Sequence, residues 1–264
     1  MYEFSYLKPS SAQDARGASN EDTRYLAGGQ SLVQSMRLRL ASASTLIDLG
    51  GIADLRGIKV DGSTLTVGAM STHAEVALSA DVRKAIPALA EMAAGIGDQM
   101  VRNMGTMGGA LANADPAACY PAAVLGLGAT IHTDKRTLVG DDFFLGLYET
   151  ALEPGELITK ISFPIVDKAA YVKFKQPASR FALVGVMVSN SSSGPRVGVT
   201  GAKSAAYRWQ EAEAALAKSF TPDALDALTV SEADMNADLH GSAEYRASMV
   251  KVMAKRAVAA ALAR

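Results

Sequence analysis

Two short glycine-bearing segments constrain this chain more than anything else in it: Ala27-Gly28-Gly29-Gln30-Ser31-Leu32 and Arg102-Asn103-Met104-Gly105-Thr106-Met107-Gly108-Gly109. A glycine pair leaves the main chain open to approach, so each segment can aim several backbone N–H groups at one anion. The first segment follows the strand-like run Arg24-Tyr25-Leu26 and precedes Ser31 to Leu40, where Leu32, Val33, Met36 and Leu40 have helical spacing with Arg37 and Arg39 on the other side. Strand, glycine turn and helix in that order form a phosphate-binding layout. The second segment places the hydroxyl of Thr106 before its glycine pair and the polar Asn113 and Asp115 beyond it, amid small residues. Taken singly, each segment also reads as plain turn punctuation. Their pairing is what points to a ligand.

The rest of the composition narrows the chemistry. At 264 residues and 49% hydrophobic, the chain can build one large or two medium cores. A net charge of -1 gives no field to gather nucleic acid or an anionic membrane, and no stretch offers a run of about 20 apolar residues, so a soluble, cytoplasmic protein is expected. Cys119 is the only cysteine. Common iron–sulfur clusters need about four thiolates, so this chain alone holds none. His73, His132 and His240 lack ligand-like spacing, so no metal site is expected.

Along the chain the pattern is α+β. Strands are expected at Tyr2 to Phe4, Arg24 to Leu26 and Leu46 to Leu49, followed by a hairpin of Ile58 to Val60 and Leu65 to Val67 about Asp61-Gly62-Ser63. Thr72 and Glu75 have capping-box spacing and open a helix, which makes His73 a surface helix residue. Val82 to Ala94 is a second helical stretch interrupted by Pro87. Gly95 to Pro121 is glycine-rich and weakly periodic, a backbone something approaches closely. Leu157 to Phe163 alternates and closes a first domain. From Ala170, three strands, Tyr171 to Phe174, Ala182 to Ser189 and Arg196 to Gly201, form an antiparallel meander with a turn at Asn190 to Pro195; helices follow at Gln210 to Lys218, Pro222 to Leu228 and Tyr245 to Ala263.

The motifs Ala-Gly-Gly-Gln-Ser-Leu at 27–32, Val-Arg-Asn-x-Gly-Thr-x-Gly-Gly at 101–109 and Ala-Asn-Ala-Asp-Pro-Ala at 112–117 resemble, in order and spacing, the FAD-binding medium subunit of the molybdenum hydroxylases, the family of xanthine dehydrogenase and carbon monoxide dehydrogenase. The resemblance covers nearly the whole chain. It implies a two-lobed FAD-binding domain of the vanillyl-alcohol-oxidase/PCMH type over residues 1–165, with lobes of about 1–55 and 56–165, then a carbon monoxide dehydrogenase-type flavoprotein domain of three-stranded antiparallel sheet and helices over 166–264. It assigns the FAD pyrophosphate to Gly28, Gly29, Gln30, Ser31, Thr106, Gly108 and Gly109, with Ala27 and Leu32 shaping the first loop, and the ribityl chain and flavin to Asn113 and Asp115. Relatives commonly carry an aspartate where this chain has Cys119, a departure at the ribityl contact; Cys119 is read as a small buried side chain or a reactive thiol near the flavin. Lys175, on a strand and loop that reach over the ring, is the candidate cation near its pyrimidine end, with surface solvation the other reading for it and for Arg180. Tyr171 and Phe181 either stack on the ring or pack in the core.

The resemblance further implies that this subunit transforms no substrate itself. A molybdopterin-bearing large subunit oxidises the substrate, an iron–sulfur small subunit relays electrons, and FAD in this chain collects them for a terminal acceptor, in a heterotrimer that is doubled. The other reading is a self-sufficient flavin oxidoreductase of the same fold. Three further motifs fail: Gly198 to Ser204 lacks the glycine before lysine of a phosphate loop, Gly29-Gln30-Ser31 lacks the second glycine of a nucleophile elbow, and Gly126-Leu127-Gly128 does not continue into a dinucleotide fingerprint.

Overall fold

The computed structural model describes all of residues 1–264. Its first element group is β1 (Ser5–Leu7), α1 (Ala12–Gly17), β2 (Thr23–Leu26), α2 (Leu32–Arg37) and β3 (Thr45–Asp48). β3 lies between β1 and β2 and pairs with both in parallel. Parallel neighbours need a crossover, and α2 with its flanking loops supplies it between β2 and β3. Ala15, Ile47, Leu49, Ile52, Leu55 and Met70 form the small core beside this sheet. The first strand is Ser5–Leu7 rather than Tyr2 to Phe4. α2 stops at Arg37, short of the expected Leu40, because Leu38 and Leu40 find nothing to bury them and stand 71% and 78% exposed, with Arg39 between them at φ +60°.

The second group is β4 (Ile58–Asp61), β5 (Thr64–Gly68), six short helices, then β6 (Thr130–Thr133), β7 (Thr137–Val139), the small hairpin β8 (Phe144–Gly146) and β9 (Glu149–Thr150), and β10 (Ile158–Pro164). The sheet order is β4-β5-β10-β6-β7, so the last strand of the group sits at its centre, antiparallel to β5 and β6. Ile158, Ile161 and Phe163 of β10 are buried with Leu65, Val67, Leu89 and Tyr120. The helices are α3 (His73–Leu78), α4 (Ala80–Ala85), α5 (Pro87–Ala94), α6 (Gln99–Met104), α7 (Met107–Asn113) and α8 (Cys119–Leu127). α3 opens with the capping box: Glu75 N–H donates to Thr72 Oγ1 at 3.2 Å, and Thr72 N–H donates to Glu75 Oε2 at 2.6 Å. The helical stretch around Pro87 is two helices, since the residue before a proline avoids the helical region and Ile86 leaves it, at φ -141° and ψ 77°.

The third group is β11 (Lys168–Lys175), β12 (Ala182–Ser191), β13 (Gly194–Thr200), β14 (Tyr207–Arg208), α9 (Gln210–Lys218) and α10 (Ala243–Leu262). The meander contains the three expected strands plus β14, whose two residues are too few to show alternation in sequence. Pro222 to Leu228 forms only the short 3-10 turn Pro222–Leu225. Val184, Val186, Val188, Val197 and Val199 face Trp209, Leu216 and α10. α10 buries Val250, Met253, Ala254, Ala257, Val258 and Ala261, a three-and-four spacing that keeps one stripe on the sheet. Each fully buried Val or Met there contributes roughly 1.5–3 kcal/mol.

α8 packs across the opposite face of β12 and β13 and fastens this sheet to the rest. A Cβ on Gly198 would lie 2.6 Å from Gly126 N, and one on Gly126 would lie 2.7 Å from Met187 O, so the helix and strand touch backbone to backbone. Two of the glycine motifs that fail as nucleotide loops thus have a packing role. Ser189 Oγ donates to Gly126 O at 2.6 Å, and Thr200 Oγ1 to Ala118 O at 2.7 Å. No helix of the protein is long and apolar enough to cross a membrane.

Candidate functional site

Both glycine loops open into one cleft at the junction of these elements. The first loop leaves β2 at Leu26 and turns into α2 at Gly29, whose φ is +71°, a conformation that favours glycine. The backbone N–H groups of Gly28, Gly29, Gln30 and Ser31 have no acceptor within the chain, and the Ser31 hydroxyl caps nothing. Four consecutive free donors are an anion cradle.

The second loop is organised differently. It is stitched along the exit of β5: Gly108 N–H donates to Ala69 O at 2.8 Å, Met107 N–H to Ser71 O at 3.0 Å, and His73 N–H to Gly105 O at 2.9 Å. Gly109 N–H donates to Thr106 Oγ1 at 3.2 Å, capping α7. The N–H groups of Gly108 and Gly109 are therefore spent inside the protein, and in Gly105 to Ala110 only that of Thr106 is free. The glycines here allow close approach instead: a Cβ on Gly108 would lie 2.6 Å from Ala69 Cβ, and one on Gly109 3.3 Å from Ala27 Cβ. The two loops meet where Gly28 rests on Met104 and Gly105.

The cleft has two adjoining cavities. The larger, of about 440 Å³, is lined by Ala27, Gly28, Gly29, Gln30, Ser31, Leu32, Thr106, Gly108 and Gly109, together with Tyr25, Met70 and Leu157. The smaller, of about 180 Å³, is lined by Ile96, Val101, Asp115, Cys119, Tyr120, Lys173, Arg180 and Phe181, among others. Gln30, Ser31, His73, Ala110 and Asn113 border both.

Of the residues that the resemblance assigns to the pyrophosphate, ribityl chain and ring charge, Lys175 alone stands apart: it is exposed and lines neither cavity. The register of β11 on β12 shifts between Phe174 and Lys175, so the last residue of the strand breaks the alternation that directs Tyr171 and Lys173 toward the cleft side and Val172 and Phe174 into the opposite core. Lys173 takes the place at the cavity. Its ammonium donates to Gly95 O at 2.9 Å and Arg180 O at 2.8 Å and lies 3.4 Å from Cys119 Sγ. Arg180, at φ +63°, donates to Gly97 O at 3.0 Å, which ties the Gln176 to Phe181 loop across the smaller cavity. Phe181 borders that cavity, whereas Tyr171 packs into the main core, where burial and the neighbouring Cys119 raise its hydroxyl pKa.

Cys119 is a small buried side chain on the cavity wall. Asp115 accepts Ala117 N–H at 2.8 Å, and burial raises its carboxyl pKa against the effect of that bond. His73 is not the surface residue its helix position suggests. It is 5% exposed because the second loop folds over it, its ring lies 5.3 Å from that of Tyr120, and burial followed by the charge of Arg102 lowers its pKa to about 4. The only sequence sign of this was the glycine at 105, where a Cβ would come within 2.6 Å of His73 Nε2.

A model for the FAD binding domain in molybdopterin dehydrogenase matches residues 2–166. The chain is 35% identical to the carbon monoxide dehydrogenase medium chain of Hydrogenophaga pseudoflava, over 99% of this chain and 98% of that one. This chain belongs to the FAD-binding medium subunits of the molybdenum hydroxylases. The nicotine 6-hydroxylase medium subunit of Paenarthrobacter nicotinovorans is another such relative, 34% identical over 98% of this chain and 97% of its own length. The medium subunit described here superposes with a TM-score of 0.93 on a chain of reconstituted CO dehydrogenase from Oligotropha carboxidovorans, at 35% identity and covering 100% and 99% of the two chains. For a chain of quinoline 2-oxidoreductase from Pseudomonas putida 86 the TM-score is 0.89 at 30% identity, covering 98% and 97%. The cleft suits FAD: free amides for a diphosphate in one cavity, and apolar walls with cations for a ring in the other.

Proposed function

We propose that this subunit holds FAD with its pyrophosphate on the Gly28 to Ser31 amides and its flavin ring in the smaller cavity, and passes electrons from partner subunits to a terminal acceptor. The four unpaired N–H groups, opening into a cleft that reaches Lys173, are the observation that carries this assignment. Ala27 and Leu32 shape the loop. Ser31 and Thr106 add hydroxyl and amide donors, Gly108 and Gly109 let α7 close the wall, and Asn113 and Asp115 border the ribityl and ring region.

Bound flavin accepts electrons singly and releases one or two, which suits a relay between one-electron clusters and a final acceptor. The chain's own part is to bind and orient. The Lys173 and Arg180 cations favour negative charge on the reduced ring, while Tyr120, Ile96 and Val101 keep water from it. With one cysteine, the chain depends on an iron–sulfur partner for its electrons. A molybdopterin subunit oxidises the substrate, and the assembly is a dimer of heterotrimers in the cytoplasm. Residues 1–165 form the two-lobed PCMH-type domain, with lobes of about 1–55 and 56–165, and residues 166–264 the carbon monoxide dehydrogenase-type domain.

Purifying the native complex and measuring flavin, iron and molybdenum per medium subunit tests this. All three are expected, with two co-purifying chains. A flavin-containing chain with no iron-bearing partner would overturn the electron-transfer role.

A further inference from the structure

We propose that His73 is a ligand-binding residue of the cleft, donating a hydrogen bond from Nε2 to a hydroxyl of the ribityl chain; the inference rests on the FAD reading above. His73 is one of five residues bordering both cavities, at the waist between the amide cradle and the cavity of Lys173 and Tyr120. A nucleotide with its diphosphate in one and its ring in the other must pass its polyol linker through that waist.

The side chain is set for a neutral donor. Nδ1 is sealed from solvent without a partner, so a proton there would have nothing to bond; Nε2 also has no partner in the chain but is not sealed. The favoured neutral form carries its proton on Nε2, the nitrogen left to the cleft. Burial and Arg102 keep the ring uncharged well below neutral pH, and an uncharged donor matches an uncharged polyol better than a phosphate. The ring is held in place. Its residue opens α3 under the Thr72–Glu75 capping box, its N–H is bonded to Gly105 O, and glycine at 105 leaves room for the imidazole.

The test titrates the full-length, flavin-free chain with FAD and, separately, with ADP, which shares the diphosphate but lacks the ribityl chain. His73→Phe is expected to weaken FAD about tenfold, the worth of one buried hydrogen bond, and to leave ADP unchanged. His73→Gln, whose amide nitrogen reaches the position of Nε2, is expected to recover most of the loss. In the wild-type chain, with only three histidines to assign, the Nε2 nitrogen resonance of His73 should move with FAD and not with ADP. Equal loss of FAD and ADP binding, or wild-type FAD binding in His73→Phe, would overturn the proposal. A folded wild-type chain that binds neither ligand would instead overturn the FAD assignment, and this inference with it.

Discussion

Gly28 lies directly on the carbonyl oxygen of Met104, so that a Cβ at position 28 would overlap that oxygen and come within 2.8 Å of Gly105 Cα. The two glycine loops are thus one packed unit, and the amide cradle on the first depends on the position of the second.

Substituting Gly28 by Ala should separate the loops. Overpacking against fixed backbone costs about 1–3 kcal/mol, so the variant is expected to melt several degrees lower and to retain little flavin. Gly29→Ala meets no backbone, only the side chains of Val33, with Cγ2 at 3.0 Å, and Leu26, with Cδ1 at 3.4 Å, but must hold φ +71° at a cost of roughly 1–2 kcal/mol. It should keep the fold and lose FAD affinity. Thermal melts with flavin released on denaturation separate the two outcomes; normal flavin content in Gly29→Ala would remove the first loop from the site.

Lys173→Met should act on both the loop and the ring. The ammonium spans Gly95 O and Arg180 O, and hydrogen bonds from a charged donor contribute about 1.5–3 kcal/mol each. Residues Gln176 to Phe181 are expected to exchange amide protons faster, and the reduction potential of the bound flavin to fall. Lys175→Met, two residues on but exposed, should change neither.

Two pH windows are expected in the stability curve. Burial would raise the Glu156 carboxyl, but the hydrogen bonds from Arg136, Glu153 N–H and Thr133 outweigh it and hold its pKa at about 2. A depressed carboxylate stabilises the fold above its unfolded pKa of about 4.3, and that stability is lost as pH falls toward 2. His73, at about 4 against an unfolded value near 6.5, acts in the window above: the unfolded chain takes up the proton first, so stability falls as pH drops from about 6.5 to 4. Denaturant melts across pH should show Glu156→Gln flattening the lower window and His73→Phe the upper. Unchanged profiles would refute the two assignments.

Cys119 should report occupancy of the smaller cavity. Its thiol is the only one in the chain and is buried on that wall, so alkylation is expected to be slow in the flavin-free chain and slower still with FAD bound. Equal rates by mass spectrometry would place the ring elsewhere.

Much of the architecture was legible because it is local. The Gly62 hairpin, the Thr72–Glu75 box, the alternating strands of the meander and the stripe on α10 each follow from spacing within a few residues. β14 and the early end of α2 were not, since a two-residue strand has no period and a helix continues only while its apolar face finds a partner.

At the cleft the same division holds. Residue types alone set the chemistry available there: glycines that open the backbone, hydroxyls beside them, and too few cysteines for a cluster. Which groups are free to use it depends on how distant parts of the chain come together. Strand pairing spends the Gly108 amide on Ala69, loop packing buries His73, a register shift turns Lys175 away and leaves Lys173 at the cavity, and β10 enters the middle of its sheet. Each of these depends on a partner distant along the chain, and hydrogen bonds and burial are settled by what arrives opposite a residue, not by the residue alone.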